Sequence, residues 1–144
     1  MHVHRLTLAA TLMLPLSTIA QDARVQTVGE LRQAGGSQLT AAEAATTLTG
    51  AKVESIGGAN RKRTFENTAR GTLYATSASQ DGYGSASKAS GDWSVREDGA
   101  YCVKVNWNTG PEEWCRFLLV LDNRYFLAKD AMESTKLWSI GVKR

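Results

Sequence analysis

The spacing of apolar and polar side chains changes at Gly50. Before this glycine, two short segments each carry a Thr followed three residues later by a Glu, the capping-box pattern that begins a helix. The first begins at Thr27 and meets a pair of glycines after one or two turns, and the second begins at Thr40 and ends at Gly50. The sequence therefore predicts one or two short helices near the N-terminus.

After Gly50, apolar and polar residues alternate with a period of two, which is typical of strands with one buried face. Short runs of this kind continue to the C-terminus and are separated by turn residues such as Asp98–Gly99. The stretch 78–92 is rich in Gly, Ser and Ala, and we interpret it as a long loop or a hairpin of small residues. The predicted fold class is mainly β, a small antiparallel β-barrel or meander.

The segment 114–121 is apolar on both of its faces. A strand of this composition must be covered on both sides. The barrel interior can cover one face, and we expect the helix that contains Ala44 and Leu48 to cover the other.

Residues 1–20 have the layout of a secretory signal peptide, with a basic Arg5, an apolar run and a small-residue cleavage site. We therefore divide the chain into a signal peptide (1–20), a partly helical N-terminal segment (21–38) and a single β-rich domain (39–144). The apolar run is too short for a membrane span. The expected location is periplasmic or secreted, without a transmembrane anchor.

Cleavage at this point would remove both histidines, His2 and His4. The mature chain would then have no imidazole, which is the usual general base near neutral pH and a common metal ligand. We accordingly assign no catalytic residue, no metal site and no cofactor, and the sequence does not favour an enzyme.

The formal net charge is only +3, and the basic residues are scattered except for the run 61–63. Proteins that bind nucleic acid usually present a broad basic face. We interpret the run as a solvated loop and expect no nucleic-acid partner.

The two cysteines, Cys102 and Cys115, flank a polar segment that contains a proline. Their spacing is longer than the Cys-x-x-Cys of redox sites, and a metal site would need two further ligands. In an exported protein we expect them to form a disulfide between paired strands. In that register Val103 faces Trp114, and Tyr101 faces Arg116.

Aromatic side chains are plentiful, and some of them could line the mouth of a barrel. The alternative is that they fill a small core. A lone Arg among apolar neighbours could bind an anionic group. Alternatively, it could lie at the barrel rim, or pair with Glu112 or Glu113. The candidate ligand-binding residues are Tyr101, Trp107, Trp114 and Arg116.

The chain also resembles a family of small secreted bacterial proteins grouped as a domain of unknown function. The resemblance covers residues 39–128 and consists of a capped helix that ends in Gly, a G-x-W strand, a D-G-x-x-C hairpin and a second Cys. It implies a lipocalin-like barrel and brings no catalytic residue with it. The matching positions are Thr40, Glu43, Gly50, Gly91, Trp93, Asp98, Gly99, Cys102 and Cys115.

Two functions follow as hypotheses. The first is non-enzymatic binding of a small ligand at the barrel mouth. The second is a protein–protein interaction module, such as an inhibitor, an envelope accessory or a secreted effector, that uses a loop at 106–113 as its contact surface. The expected partner is thus a small ligand or an envelope protein.

Overall fold

The computed structural model describes residues 24–144, and the predicted signal peptide lies outside the described residues. Two α-helices, α1 (Val28–Gln33) and α2 (Ala41–Leu48), precede the barrel strands. Both begin with the predicted capping box, in which the threonine hydroxyl accepts a hydrogen bond from the backbone N–H of the glutamate. No helix within residues 24–144 is long and apolar enough to cross a membrane.

The strands follow one another with short connections. They are β1 (Ser37–Gln38), β2 (Lys52–Ile56), β3 (Arg61–Asn67), β4 (Thr72–Ser79), β5 (Ser87–Val95), β6 (Ala100–Trp107), β7 (Gly110–Leu121), β8 (Arg124–Ala128) and β9 (Leu137–Lys143).

Strands β2 to β9 form a closed barrel. Each strand pairs antiparallel with the next along the chain, and β9 returns to pair with β2. The two-residue β1 pairs with β7 beyond the point where the β6 pairing ends. The predicted fold class, an antiparallel β-barrel with two short N-terminal helices, is confirmed, and the up-and-down topology is the one that lipocalins use.

Helix α2 closes one end of the barrel. Ala44 and Leu48 are fully buried in the same cluster as the inward-facing side chains of the strands. A chain of hydrogen bonds fixes the helix there, because Tyr101 Oη donates to Asn67 Oδ1 and Asn67 Nδ2 donates to the Leu48 carbonyl. The loops β2–β3, β4–β5, β6–β7 and β8–β9 surround the opposite end, which we call the mouth.

The second apolar face of β7 is covered, although not by the helix that we expected. Val28 and Leu31 of α1 pack on the outside of the barrel against Leu119, Leu121 and Phe126. Helix α2 cannot reach that surface, because only three residues connect it to β2 and hold it at the end of the barrel. The prediction that α2 covers the outer face is therefore wrong.

The register of the β6–β7 hairpin is as predicted. Cys102 lies opposite Cys115, and the two form a disulfide. Val103 faces Trp114 and Tyr101 faces Arg116. The cysteines point outward, so the bond ties two barrel strands without entering the interior.

Of three further sequence interpretations, two are corrected and one is confirmed. The segment 106–113 is not a long loop, since Asn106 pairs with Pro111 and only Asn108 and Thr109 form the turn. The hairpin interpretation of the small-residue stretch 78–92 is confirmed, because β5 begins at Ser87 and pairs antiparallel with β4. The basic run 61–63 lies in β3, which pairs with β4, rather than in a loop. Its side chains therefore alternate between the two faces of the strand.

Candidate functional site

Two side-chain contacts cross the barrel from β3 to β7, which are opposite walls of the eight-stranded cylinder. At the mouth, Arg63 Nη1 donates to both carboxylate oxygens of Glu112, at 2.6 and 2.8 Å. One layer deeper, the rings of Phe65 and Trp114 meet edge to face with centroids 5.8 Å apart. The residues involved alternate inward along their strands, so the two contacts form a wall inside the barrel.

The Glu112 carboxylate is held by three donors. Besides Arg63, it accepts hydrogen bonds from the indole Nε1 of Trp107 at 2.9 Å and of Trp114 at 3.0 Å. Its side chain is only 25% exposed. Bonds to a charged acceptor are stronger than neutral ones, so this carboxylate fixes the positions of both tryptophans and of Arg63.

The wall divides the mouth into two compartments. The first, which we call the apolar compartment, has a volume of about 310 Å³ and lies toward β8, β9 and β2. The second, with a volume of about 440 Å³, lies toward β4, β5 and the β6–β7 turn and is lined largely by polar groups. The apolar compartment is lined by Val53, Ser55, Ile56, Gly57, Arg63, Phe65, Glu112, Trp114, Arg116, Leu127, Trp138 and Ile140.

Arg116 occupies the apolar compartment between two indole rings. Its guanidinium carbon is 4.1 Å from the ring centroid of Trp138 and 5.2 Å from that of Trp114. Within residues 24–144, Arg116 makes neither a hydrogen bond nor an ion pair, because Glu112 is already engaged by Arg63. Burial lowers the pKa of the Arg116 guanidinium, and the nearby Arg63 lowers it further while Glu112 raises it. An arginine nonetheless stays protonated in proteins.

The compartment carries one uncompensated positive charge. Three of its lining residues are charged, Arg63, Glu112 and Arg116, and two cations with one anion leave a net charge of +1. The first two neutralise each other at contact distance, so the excess charge resides on Arg116. Most of the other lining side chains are aliphatic or aromatic. Such a mixture of apolar surface and one placed polar group is typical of small-molecule sites.

The four predicted ligand-binding residues do not line a single cavity. Trp114 and Arg116 line the apolar compartment, whereas Trp107 lines the second one. Tyr101 is fully buried below them, where its ring packs edge to face against Trp114 at 5.5 Å. The alternative that Arg116 pairs with Glu112 or Glu113 is wrong, because Glu112 pairs with Arg63 and neither carboxylate forms an ion pair with Arg116.

Three residues of the site were missed from the sequence. Trp138 is 39% exposed at the mouth. It lies two residues before Ile140 in the last strand, and this spacing predicts that both side chains point to the same, inner face. The sequence interpretation places Arg63 in a solvated loop, although its spacing of two residues from Phe65 puts both side chains on the same face of a strand. Glu112 carried no signal of its own, because its inward direction depends on the strand beginning at Gly110.

No three potential metal-binding side chains come together in the part of the chain that the structure describes. Comparison with protein-family models, with curated proteins and with solved structures gave no match for this chain. No family match therefore supports the resemblance, while the structure shows both a β-barrel and the disulfide predicted from the cysteine spacing.

Proposed function

We propose that this protein is an exported binding protein that holds one small molecule in the apolar compartment at the mouth of its barrel. The observation that supports this proposal most directly is the apolar compartment itself, a cavity of about 310 Å³ that contains the guanidinium of Arg116 without an ion-pair partner among residues 24–144. Ligand pockets in proteins begin at about this size.

The division of the barrel into a packed half and a hollow half supports binding over a purely structural role. Toward α2, the interior is filled by fully buried side chains such as Leu48, Leu73 and Tyr101. Toward the mouth, Ile56 and Trp138 remain 52% and 39% exposed. Large apolar side chains at the rim of a cavity stabilise a bound molecule by removing its apolar surface from water.

Export is supported by the disulfide and by the signal-like residues 1–20. A disulfide persists in oxidising compartments such as the periplasm or the extracellular space. We accordingly place the protein in one of these locations. The lipocalin-like character of the barrel belongs to the same proposal, because lipocalins bind ligands inside an up-and-down barrel.

Filling the compartment tests the proposal. Ser55 faces inward from β2, lies opposite Ile140 and lines the cavity. The change Ser55→Phe places a ring in the space a ligand would occupy. We expect native mass spectrometry of the protein from its own source to show a bound small molecule, and Ser55→Phe to lose it.

A matched control is available on the neighbouring strand. Ser139 is exposed on the outside of β9, next to Trp138, so Ser139→Phe adds the same bulk outside the cavity. It should retain the bound molecule. Recovery of the protein without any ligand, and with no ligand taken up from cell extract, would contradict the proposal.

A further inference from the structure

We propose that the ligand is a small monocarboxylate with an apolar body, and that Arg116 binds its carboxylate. This inference rests on the proposed function, because it specifies what the apolar compartment holds. It follows from the charge of the site, from the geometry of the guanidinium and from the size and chemistry of the surrounding wall.

The charge balance of the compartment matches one negative charge. Arg63 and Glu112 cancel, and Arg116 is left without an anionic partner among residues 24–144. A charge removed from water is costly unless it is paired. A monoanion would bring the compartment to neutrality, whereas a dianion would reverse its sign and a cation would increase the repulsion.

The N–H groups of the Arg116 guanidinium are suited to bind a carboxylate. The guanidinium carbon of Arg116 is 4.1 Å from the ring centroid of Trp138, a distance at which guanidinium groups commonly stack on aromatic rings. The N–H bonds of a guanidinium lie in its plane, so stacking leaves its edge available. An arginine edge and a carboxylate form two parallel hydrogen bonds, which favours a carboxylate over a spherical anion.

The remaining wall limits the body of the ligand. Val53, Phe65, Leu127 and Ile140 contribute apolar surface to the same compartment. The volume of about 310 Å³ lies at the lower end of the range found for small-molecule pockets. A small aromatic or short aliphatic acid therefore fits better than a large ligand.

The test compares acids with their amides, which have nearly the same shape and no charge. Benzoate, phenylacetate and hexanoate are titrated into the full folded domain by calorimetry, alongside benzamide, phenylacetamide and hexanamide. We expect at least one acid to bind tenfold or more tightly than its amide. In Arg116→Gln that preference should disappear, with the amide affinity unchanged.

Arg61→Gln is the matched control, because Arg61 lies at the same mouth but donates to Ser77 and does not line the apolar compartment. It should preserve the preference for the acid. Inorganic phosphate is included to distinguish an organic acid from a simple oxyanion, and we expect it to bind at least tenfold more weakly than the best acid.

The outcomes separate this inference from the proposed function. Equal binding of acid and amide, an unchanged preference in Arg116→Gln, or phosphate binding as tight as the best acid would overturn the carboxylate assignment and leave small-molecule binding in place. Absence of binding by all acids and amides, together with an empty cavity in native mass spectrometry, would overturn both.

Discussion

Arg63 and Glu112 are 49 residues apart in the chain and form an ion pair across the mouth of the barrel. The pair joins opposite strands and separates two compartments that would otherwise be one opening. Because it engages the one carboxylate that lines the apolar compartment among residues 24–144, it also leaves Arg116 available for a ligand. The fold thus gives Arg63 an ion-pair partner and leaves the positive charge of Arg116 without one among residues 24–144.

Glu112→Gln should loosen the mouth. All three partners of the carboxylate, Arg63 and the indoles of Trp107 and Trp114, are donors. A glutamine amide would direct its own N–H₂ group at one of them, and hydrogen bonds to charged groups contribute about 1.5–3 kcal/mol each. We expect the free energy of unfolding, measured in urea, to fall by roughly 1–3 kcal/mol.

Glu113→Gln is the control for this change. Glu113 is adjacent in sequence but exposed on the outer face, opposite Lys104. Its replacement should alter stability by less than about 0.5 kcal/mol. Equal losses in the two variants would show that the inward carboxylate has no special structural role.

Removal of the disulfide should destabilise the domain and leave the cavity in place. The bond between Cys102 and Cys115 closes a loop with a sequence separation of 13. A loop of this size corresponds to roughly 3 kcal/mol in the chain-entropy model. We expect the variant with both cysteines changed to Ser to unfold at a lower urea concentration. A variant as stable as the native protein would contradict this.

The buried pair of Tyr101 and Asn67 predicts a dependence of stability on alkaline pH. Burial raises the pKa of the Tyr101 hydroxyl above its ordinary value. Near pH 10 the unfolded chain therefore releases a proton that the folded chain retains, and stability should fall as pH rises above about 10. Tyr101→Phe should reduce this slope.

The same substitution should also cost stability at neutral pH. It leaves the buried Asn67 Oδ1 without its donor, at a cost of about 1–3 kcal/mol. Tyr74 is 55% exposed, so Tyr74→Phe is the control and should leave both the slope and the stability unchanged. Denaturant titrations at pH 7 to 11 give both quantities. A slope in Tyr101→Phe equal to that of the native protein would exclude the assignment.

Gly91 is required by a close approach of backbone. A Cβ atom at this position in β5 would overlap the carbonyl oxygen of Lys104 on β6. We expect Gly91→Ala to lower the unfolding free energy by about 1–3 kcal/mol, because the strands must move apart. Gly141 has only ordinary contacts at the equivalent atom, so Gly141→Ala should be tolerated. The comparison is made by thermal unfolding.

Much of the fold could be predicted from the sequence because local patterns determine it. The two capping boxes gave the helices, and the alternation around Cys102 and Cys115 gave the register of the hairpin that carries Trp114 and Arg116. Which helix covers which surface could not be predicted from such patterns. That choice depends on the short connection between α2 and β2, which fixes α2 at the end of the barrel.

The site was only partly predictable for a related reason. Trp114 and Arg116 share a face of one strand, which alternation shows directly. Arg63, Glu112 and Trp138 meet through closure of the barrel, which brings β3 opposite β7 and β9 next to β2. Contacts between strands so distant in the chain leave no trace in local periodicity.

The four tryptophans allow the central claim to be tested in one measurement. Trp114 and Trp138 line the apolar compartment, Trp107 lines the second compartment, and the indole N–H of Trp93 donates to the Thr68 carbonyl in the β3–β4 connection. In ¹H–¹⁵N NMR spectra each indole N–H gives its own signal. On addition of the tightest-binding carboxylate, we predict shifts of the Trp114 and Trp138 signals with Trp93 unmoved. Shifts confined to Trp93, or none at saturating ligand, would contradict a binding site at the mouth.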